Sequence, residues 1–101
     1  MQFDQVSVGK KANVYFDGKC VSHTVTLPDG TRKSVGVVLP STLRFDLTTK
    51  EIMEVVDGTA YVSINGLAEK PFSAGQSWTV EAGGYFVIRA DQPVHYVCHF
   101  G

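Results

Sequence analysis

The sequence predicts an all-β domain, and three observations carry that prediction. Turn-forming groups recur every eight to twelve residues or so, at Asp17-Gly18, Pro28-Asp29-Gly30, Asp57-Gly58, Asn65-Gly66, Ala74-Gly75 and Gly83-Gly84. The segments between them favour β-branched and aromatic residues, which suit a pleated, half-buried surface. No window carries an apolar stripe at the 3.6-residue period of a helix.

The elements follow in order. Residues 1–11 read as an N-terminal extension or edge segment. Val21, His23, Val25 and Leu27 then alternate with Cys20, Ser22, Thr24 and Thr26, and Pro28-Asp29-Gly30 turns the chain into Thr31–Val38, a hairpin with one wetter face. Shorter strands are expected at Leu43–Leu47, Glu51–Val56, Thr59–Ile64, Gln76–Val80, Tyr85–Arg89 and Val94–Phe100. Asp57-Gly58 and Asn65-Gly66 suit tight turns that need φ > 0. With no repeat and no Pro/Ser-rich linker, residues 1–101 predict one domain, a closed or nearly closed antiparallel barrel.

Composition bounds the function. A chain of 101 residues, 44% hydrophobic and 19% charged with the charges scattered singly, has material for one core and is not a disordered segment. A formal net charge of −1 without a Lys/Arg cluster argues against nucleic acid or an anionic membrane as partner. No apolar run reaches the roughly 18 residues of a membrane span, and no secretory leader pattern opens the chain, so a cytoplasmic location is expected. Cys20 and Cys98 lie in apolar-rich segments far from any Cys-x-x-Cys spacing and read as buried, reduced thiols.

Two spaced motifs sharpen the fold class. Glu51, six residues and Gly58 match the end of the first cupin motif, in which a strand carries a carboxylate inward and a glycine starts the turn. Gly75, five residues, Glu81-Ala82-Gly83, two residues and Phe86 keep the spacing of the second motif, with Phe86 where its histidine would stand. The expectation is a single small cupin-type barrel, jelly-roll-like, without its metal. The first-motif histidine positions fall on Phe45 and Leu47 or on Arg44 and Asp46, so the converging N/O ligands of a transition ion are missing. His95 and His99, four apart on one strand, stand about 13 Å from one another and cannot share an ion.

Ordered pieces along the chain then carry a resemblance. They are Asn13-Val14-Tyr15-Phe16-Asp17-Gly18-Lys19, Ser34-Val35-Gly36-Val37-Val38-Leu39-Pro40, Phe45, Glu51, Met53-Glu54-Val55-Val56-Asp57-Gly58, Phe72, Gly75, Val80, Ala82, Phe86 and Tyr96-Val97-Cys98. Through them the sequence resembles the pyrimidine/purine nucleoside phosphorylase family from Asn13 to Phe100. The resemblance implies a metal-independent cupin fold with no cofactor and a homodimer. It further implies cleavage of purine and pyrimidine nucleosides with inorganic phosphate, as co-substrate, into free base and ribose 1-phosphate. Ser41-Thr42-Leu43 and Glu81-Ala82-Gly83-Gly84 depart from the Gly-Glu-Tyr and Pro-Ala-Asn-Ser common among relatives.

Such a reaction needs donors for phosphate, a group that tolerates positive charge on the sugar, and a polar partner for the leaving base. Glu51 is the candidate catalytic residue, its motif position aiming a carboxylate into the barrel. Two-residue alternation then sends Glu54 outward and puts Met53 beside Glu51 as pocket wall or core. Arg44 and Asp46 are candidates for substrate binding, the arginine through its planar fork of donors. Their alternative is an exposed ion pair, because Leu43, Phe45 and Leu47 form the apolar face of that strand. Phe86 reads either as a ring stacked under a nucleobase or as core, and Tyr96 as a hydroxyl donor. Lys19, Arg32, Lys33 and Arg89 read as solvated surface. His23, His95 and His99 are the residues able to act as an acid towards a departing base. Two other readings stay open: a non-catalytic cupin that binds a small ligand, and a structural dimer.

Overall fold

The computed structural model describes residues 1–100. Over these the chain forms eleven strands: β1 (Ser7–Val8), β2 (Asn13–Tyr15), β3 (Cys20–Thr26), β4 (Arg32–Val38), β5 (Ser41–Asp46), β6 (Glu51–Asp57), β7 (Thr59–Ile64), β8 (Lys70–Ser73), β9 (Ser77–Val80), β10 (Tyr85–Ala90) and β11 (Val94–Phe100). A 3₁₀ turn at Phe16–Gly18 links β2 to β3. No helix in the described residues is long and apolar enough to cross a membrane.

The strands divide into two antiparallel sheets. The larger has the order β1-β3-β4-β11-β6-β9, with β2 also paired to β3, and the smaller has the order β5-β10-β7-β8. The hydrogen bonding is therefore not continuous around a ring: the expected all-β, jelly-roll-like fold is present as a pair of facing sheets, open where a fully closed barrel would be joined. Asp57-Gly58 shows why. β6 and β7 lie in different sheets, so this turn carries the chain across the sandwich and does not close a hairpin. Gly58 has φ +89°, and a Cβ there would fall 2.6 Å from the Pro93 carbonyl oxygen, so glycine is required on both counts. Asn65-Gly66 does close a hairpin, between β7 and β8, with both residues at positive φ and Leu67 N–H donating to Ile64 C=O at 2.9 Å.

Strand β8 had no counterpart in the predicted elements. It is four residues long, contains Pro71, and occupies the edge of the smaller sheet, the one place in a sheet where a missing N–H goes unnoticed.

The core fills the space between the sheets. Met53, Trp78 and Val80 from the larger sheet meet Leu43, Val62, Phe86 and Ile88 from the smaller, all of them buried. Phe86 stacks on Phe45 at 5.1 Å with 21° between the planes and meets Trp78 edge-on at 5.6 Å. Such aromatic pairs add to the area term that dominates core energetics.

Candidate functional site

Alternation along each strand of the larger sheet sorts its residues onto two faces. On the inner face, register sets one row of side chains as Thr24, Ser34, Cys98, Met53 and Trp78 across β3, β4, β11, β6 and β9. One step deeper lies the row Ser22, Gly36, Tyr96 and Val55. The next row outward contains Thr26 opposite Arg32, and Phe100 opposite Glu51. The β3–β4–β11 half of the inner face is thus polar, while the β6–β9 half is apolar and merges with the core.

Sequence patterns alone do not show this polar lining, because its members come from strands far apart in the chain. Asn13 on β2 donates through Nδ2 to Ser22 Oγ at 3.3 Å and to Thr24 Oγ1 at 3.4 Å. Tyr96 Oη lies 3.4 Å from Cys20 Sγ. The phenol fits because residue 36 is glycine: a Cβ there would stand 2.7 Å from Tyr96 Oη and 2.7 Å from the Val21 carbonyl oxygen. Trp78 Nε1 is the one buried side-chain donor among the described residues without a partner, its ring packed between Phe72 and Phe86.

Glu51 begins β6 on this inner face, half-buried and beside Cys98. Burial raises its carboxyl above the ordinary value, and contact with the Cys98 thiol pulls it partly back. Burial and the adjacent Glu51 carboxylate in turn push the Cys98 thiol up to about 12, and burial also raises Cys20 and Tyr96. Neither thiol is therefore a nucleophile near neutral pH. The result is a single carboxylate among neutral hydroxyls and thiols, a set suited to a polyhydroxylated ligand on which positive charge develops. At the same end of the sheet, a cleft of about 360 Å³ is lined by Thr24, Gly30, Thr31, Arg32 and Phe100.

The remaining candidates separate from Glu51. Arg44 and Asp46 point outward from β5, exposed and bound to each other at 3.0 Å, with the guanidinium 4.0 Å over the Tyr85 ring. They form a surface ion pair and not part of a pocket with Glu51, because Leu43 and Phe45 take the inner face of that strand. Phe86 is 1% exposed with one ring face covered by Phe45, so it serves as core and offers no free face for a base. Met53 is buried between Cys98 and Trp78 and forms wall. Tyr96 is buried on the polar lining, its hydroxyl already engaged.

The three histidines all belong to the outer face of the larger sheet, away from Glu51. His23 Nδ1 bonds the Gly9 carbonyl at 3.0 Å and so ties the N-terminal segment to β3. His99 accepts from Lys33 Nζ at Nδ1, at 2.7 Å, and donates from Nε2 to Glu54 at 2.9 Å. Glu54 is therefore committed to the outer face. A groove of about 760 Å³ lies on this face as well, and half of its lining is valine, including Val21, Val35, Val37, Val56 and Val97. Its walls are mainly apolar, with Gln2, His23, Glu54 and His95 as the polar members, whereas the hydroxyls and the Glu51 carboxylate converge on the inner face. Among the described residues no three His, Cys, Asp or Glu side chains come together.

Comparison with known proteins gives a consistent picture. A family model described as pyrimidine/purine nucleoside phosphorylase matches residues 10–100. A protein of that name from Dechloromonas aromatica is 58% identical over 101 residues, covering 99% of this chain and 98% of its own. One from Nocardia farcinica is 54% identical over 102 residues, with 99% and 98% covered. Among solved structures, a protein of unknown function from Acinetobacter sp. ADP1 superposes with a TM-score of 0.96 at 44% identity, covering 99% of this chain and 98% of that one. An RmlC-like cupin from Shewanella frigidimarina superposes at 0.73 with 14% identity over 96% of this chain and 89% of that one, a likeness of fold alone.

Proposed function

Because the chain belongs to the pyrimidine/purine nucleoside phosphorylase family, we propose that it is a pentosyltransferase that cleaves purine and pyrimidine nucleosides with inorganic phosphate. The observation that carries the chemistry is the half-buried Glu51 carboxylate at the end of the polar lining. A phosphate oxygen forms a bond to C1′ of the ribose as the C1′–N bond to the base breaks. The bonding pair leaves on the base nitrogen, and the proton given up by hydrogen phosphate is taken up by the base. The products are free base and ribose 1-phosphate, with no change in oxidation state.

Positive charge grows on C1′ and the ring oxygen as the base departs, and Glu51 sits where a fixed negative charge opposes it. The same carboxylate accepts from ribose hydroxyls, and the Ser34 and Thr24 hydroxyls stand in the neighbouring row of the same face, on β4 and β3. The histidine-free inner face leaves protonation of the base to the phosphate proton and to solvent. Purified protein mixed with inosine or uridine and phosphate is expected to release base and ribose 1-phosphate in equal amounts, read by chromatography. EDTA is expected to leave the rate unchanged, since the motif positions for metal-binding histidines hold other residues. A folded sample that releases no base from either nucleoside in the presence of phosphate would overturn the reading.

The assembly proposed is a homodimer formed through the outer face of the larger sheet. That face is a valine-rich surface of the kind monomers do not leave open, and its rim carries both an acceptor, Glu54, and a histidine, His95, so a twofold copy complements itself. Sedimentation equilibrium is expected to return twice the 11.0 kDa chain mass, and Val37→Glu is expected to return it to one. A wild-type protein that sediments as a single chain at micromolar concentration counts against this assembly.

A further inference from the structure

Arg32 is set apart from the other two arginines by what surrounds it. Arg44 is bound to Asp46 at 3.0 Å, and Arg89 is held between Glu69 at 3.0 Å and Asp91 at 2.9 Å. Arg32 makes no ion pair with any described residue. It opens β4 two residues before the buried Ser34 and on the same face, so alternation aims it to the Glu51 side of the sheet. The adjacent Lys33 takes the outer face and its ammonium goes to His99. The cleft of about 360 Å³ that Arg32 lines carries two hydroxyls, Thr24 and Thr31, and no carboxylate among the described residues of its lining. The nearby Asp29 carboxylate is turned back into the hairpin, where it accepts from Thr31 N–H at 2.9 Å.

A guanidinium with no carboxylate partner among the described residues, beside two hydroxyls in a concave site, is a set of donors without a counter-charge. We propose that this cleft is the subsite for the phosphate co-substrate, with Arg32 holding the dianion through two of its N–H groups. The inference rests on the phosphorylase reading and deepens it. Strand spacing supplies the geometry. Arg32, Phe100 and Glu51 stand on the neighbouring strands β4, β11 and β6, which puts the Arg32 and Glu51 backbones about 10 Å apart. A ribose laid over the Phe100 ring bridges that gap, its hydroxyls on Glu51 and its C1′ turned to the phosphate on Arg32. The Phe100 ring between them keeps the carboxylate off the dianion, which it would otherwise repel. The cleft is thus a binding site for an inorganic oxyanion at one end of a sugar site.

The test uses wild type, Arg32→Gln, Arg32→Lys, and Arg89→Gln as a charge-matched control. Two readouts are taken: steady-state kinetics with phosphate and nucleoside varied separately, and amide NMR shifts at Thr24, Thr31 and residue 32 on titration with inorganic phosphate alone. Arg32→Gln is expected to raise the phosphate KM by roughly tenfold to a hundredfold, leave the nucleoside KM within about twofold, and abolish the phosphate-dependent shifts. Arg32→Lys, a point charge without the fork, is expected to fall between, and Arg89→Gln to match wild type. Turnover in which Arg32→Gln leaves the phosphate KM unchanged overturns the subsite and leaves the phosphorylase reading standing. If wild type releases no base, that reading falls and binding alone decides the subsite: shifts in wild type that Arg32→Gln removes support it, and a wild type without shifts overturns it.

Discussion

Glu51→Gln is expected to lower kcat by about a hundredfold or more while leaving nucleoside binding close to wild type, the loss typical of removing one electrostatic contact made mainly in the transition state. Glutamine keeps the shape and a hydrogen-bonding oxygen, so the ground-state contacts to ribose survive, and what is removed is the charge. The stability readout runs the opposite way. Burial holds the Glu51 carboxyl above its ordinary value of 4.5, so between those two values the folded chain binds more protons than the unfolded one. Stability therefore falls as pH rises through that window and stays lower above it. Glu51→Gln is expected to raise Tm by a few degrees at pH 7, an effect kept small by the half-exposed position, and to give no gain below about pH 4. Glu54→Gln serves as the internal control, because Glu54 stands on the outer face bound to His99. Equal kcat in wild type and Glu51→Gln, or a larger loss at Glu54, refutes the assignment.

Phe86→Ala is expected to be the most destabilising single truncation, costing about 3–5 kcal/mol. The ring is buried on all sides, stacked on Phe45 and edge-on to Trp78, so its removal leaves a cavity between the two sheets that neither sheet can close without moving the other. Against a total stability of about 5–15 kcal/mol for a typical domain, the urea midpoint should fall by a large fraction of its value. The alternative role, a platform under the nucleobase, makes a different prediction: a raised nucleoside KM with the midpoint nearly unchanged. Urea titration followed by Trp78 fluorescence separates the two, and a midpoint within experimental error of wild type would exclude the core role.

The facing of each strand was legible from alternation alone. Glu51 with Met53 inward and Glu54 outward, and Arg44 with Asp46 outward beneath Leu43 and Phe45, are local statements that a period of two decides. What lay between strands was not legible. Phe86 looked like a candidate base platform because its motif position marks the ligand site of metal-binding cupins, and only the packing of β5 against β10 shows that Phe45 already covers the ring. The polar lining was invisible for the same reason: Ser22, Ser34 and Tyr96 become neighbours through the registers of β3, β4 and β11, not through spacing in the chain. Arg32 read as surface because nothing in its own segment shows that Phe100 and Thr24 converge on it. Which sheet each strand joins was hidden too, since Asp57-Gly58 has the residues of a hairpin turn and serves as a crossover.

Strand β11 lies between β4 and β6 in the larger sheet, although it follows every other strand in the chain. Until residues 94–100 are in place, the β3–β4 hairpin and the β6–β9 pair are two separate ribbons, each with a bare edge, the first carrying Ser22, Thr24 and Ser34 of the polar lining and the second carrying Glu51. Glu51 and Arg32 belong to different ribbons, so their juxtaposition comes into being only when β11 is laid between them. Synthesis of the body of the chain thus produces an open template at two edges, and β11 is the wedge that both completes the sheet and removes those edges from other chains. Sealing against aggregation and assembly of the proposed reaction centre are for this protein one and the same event.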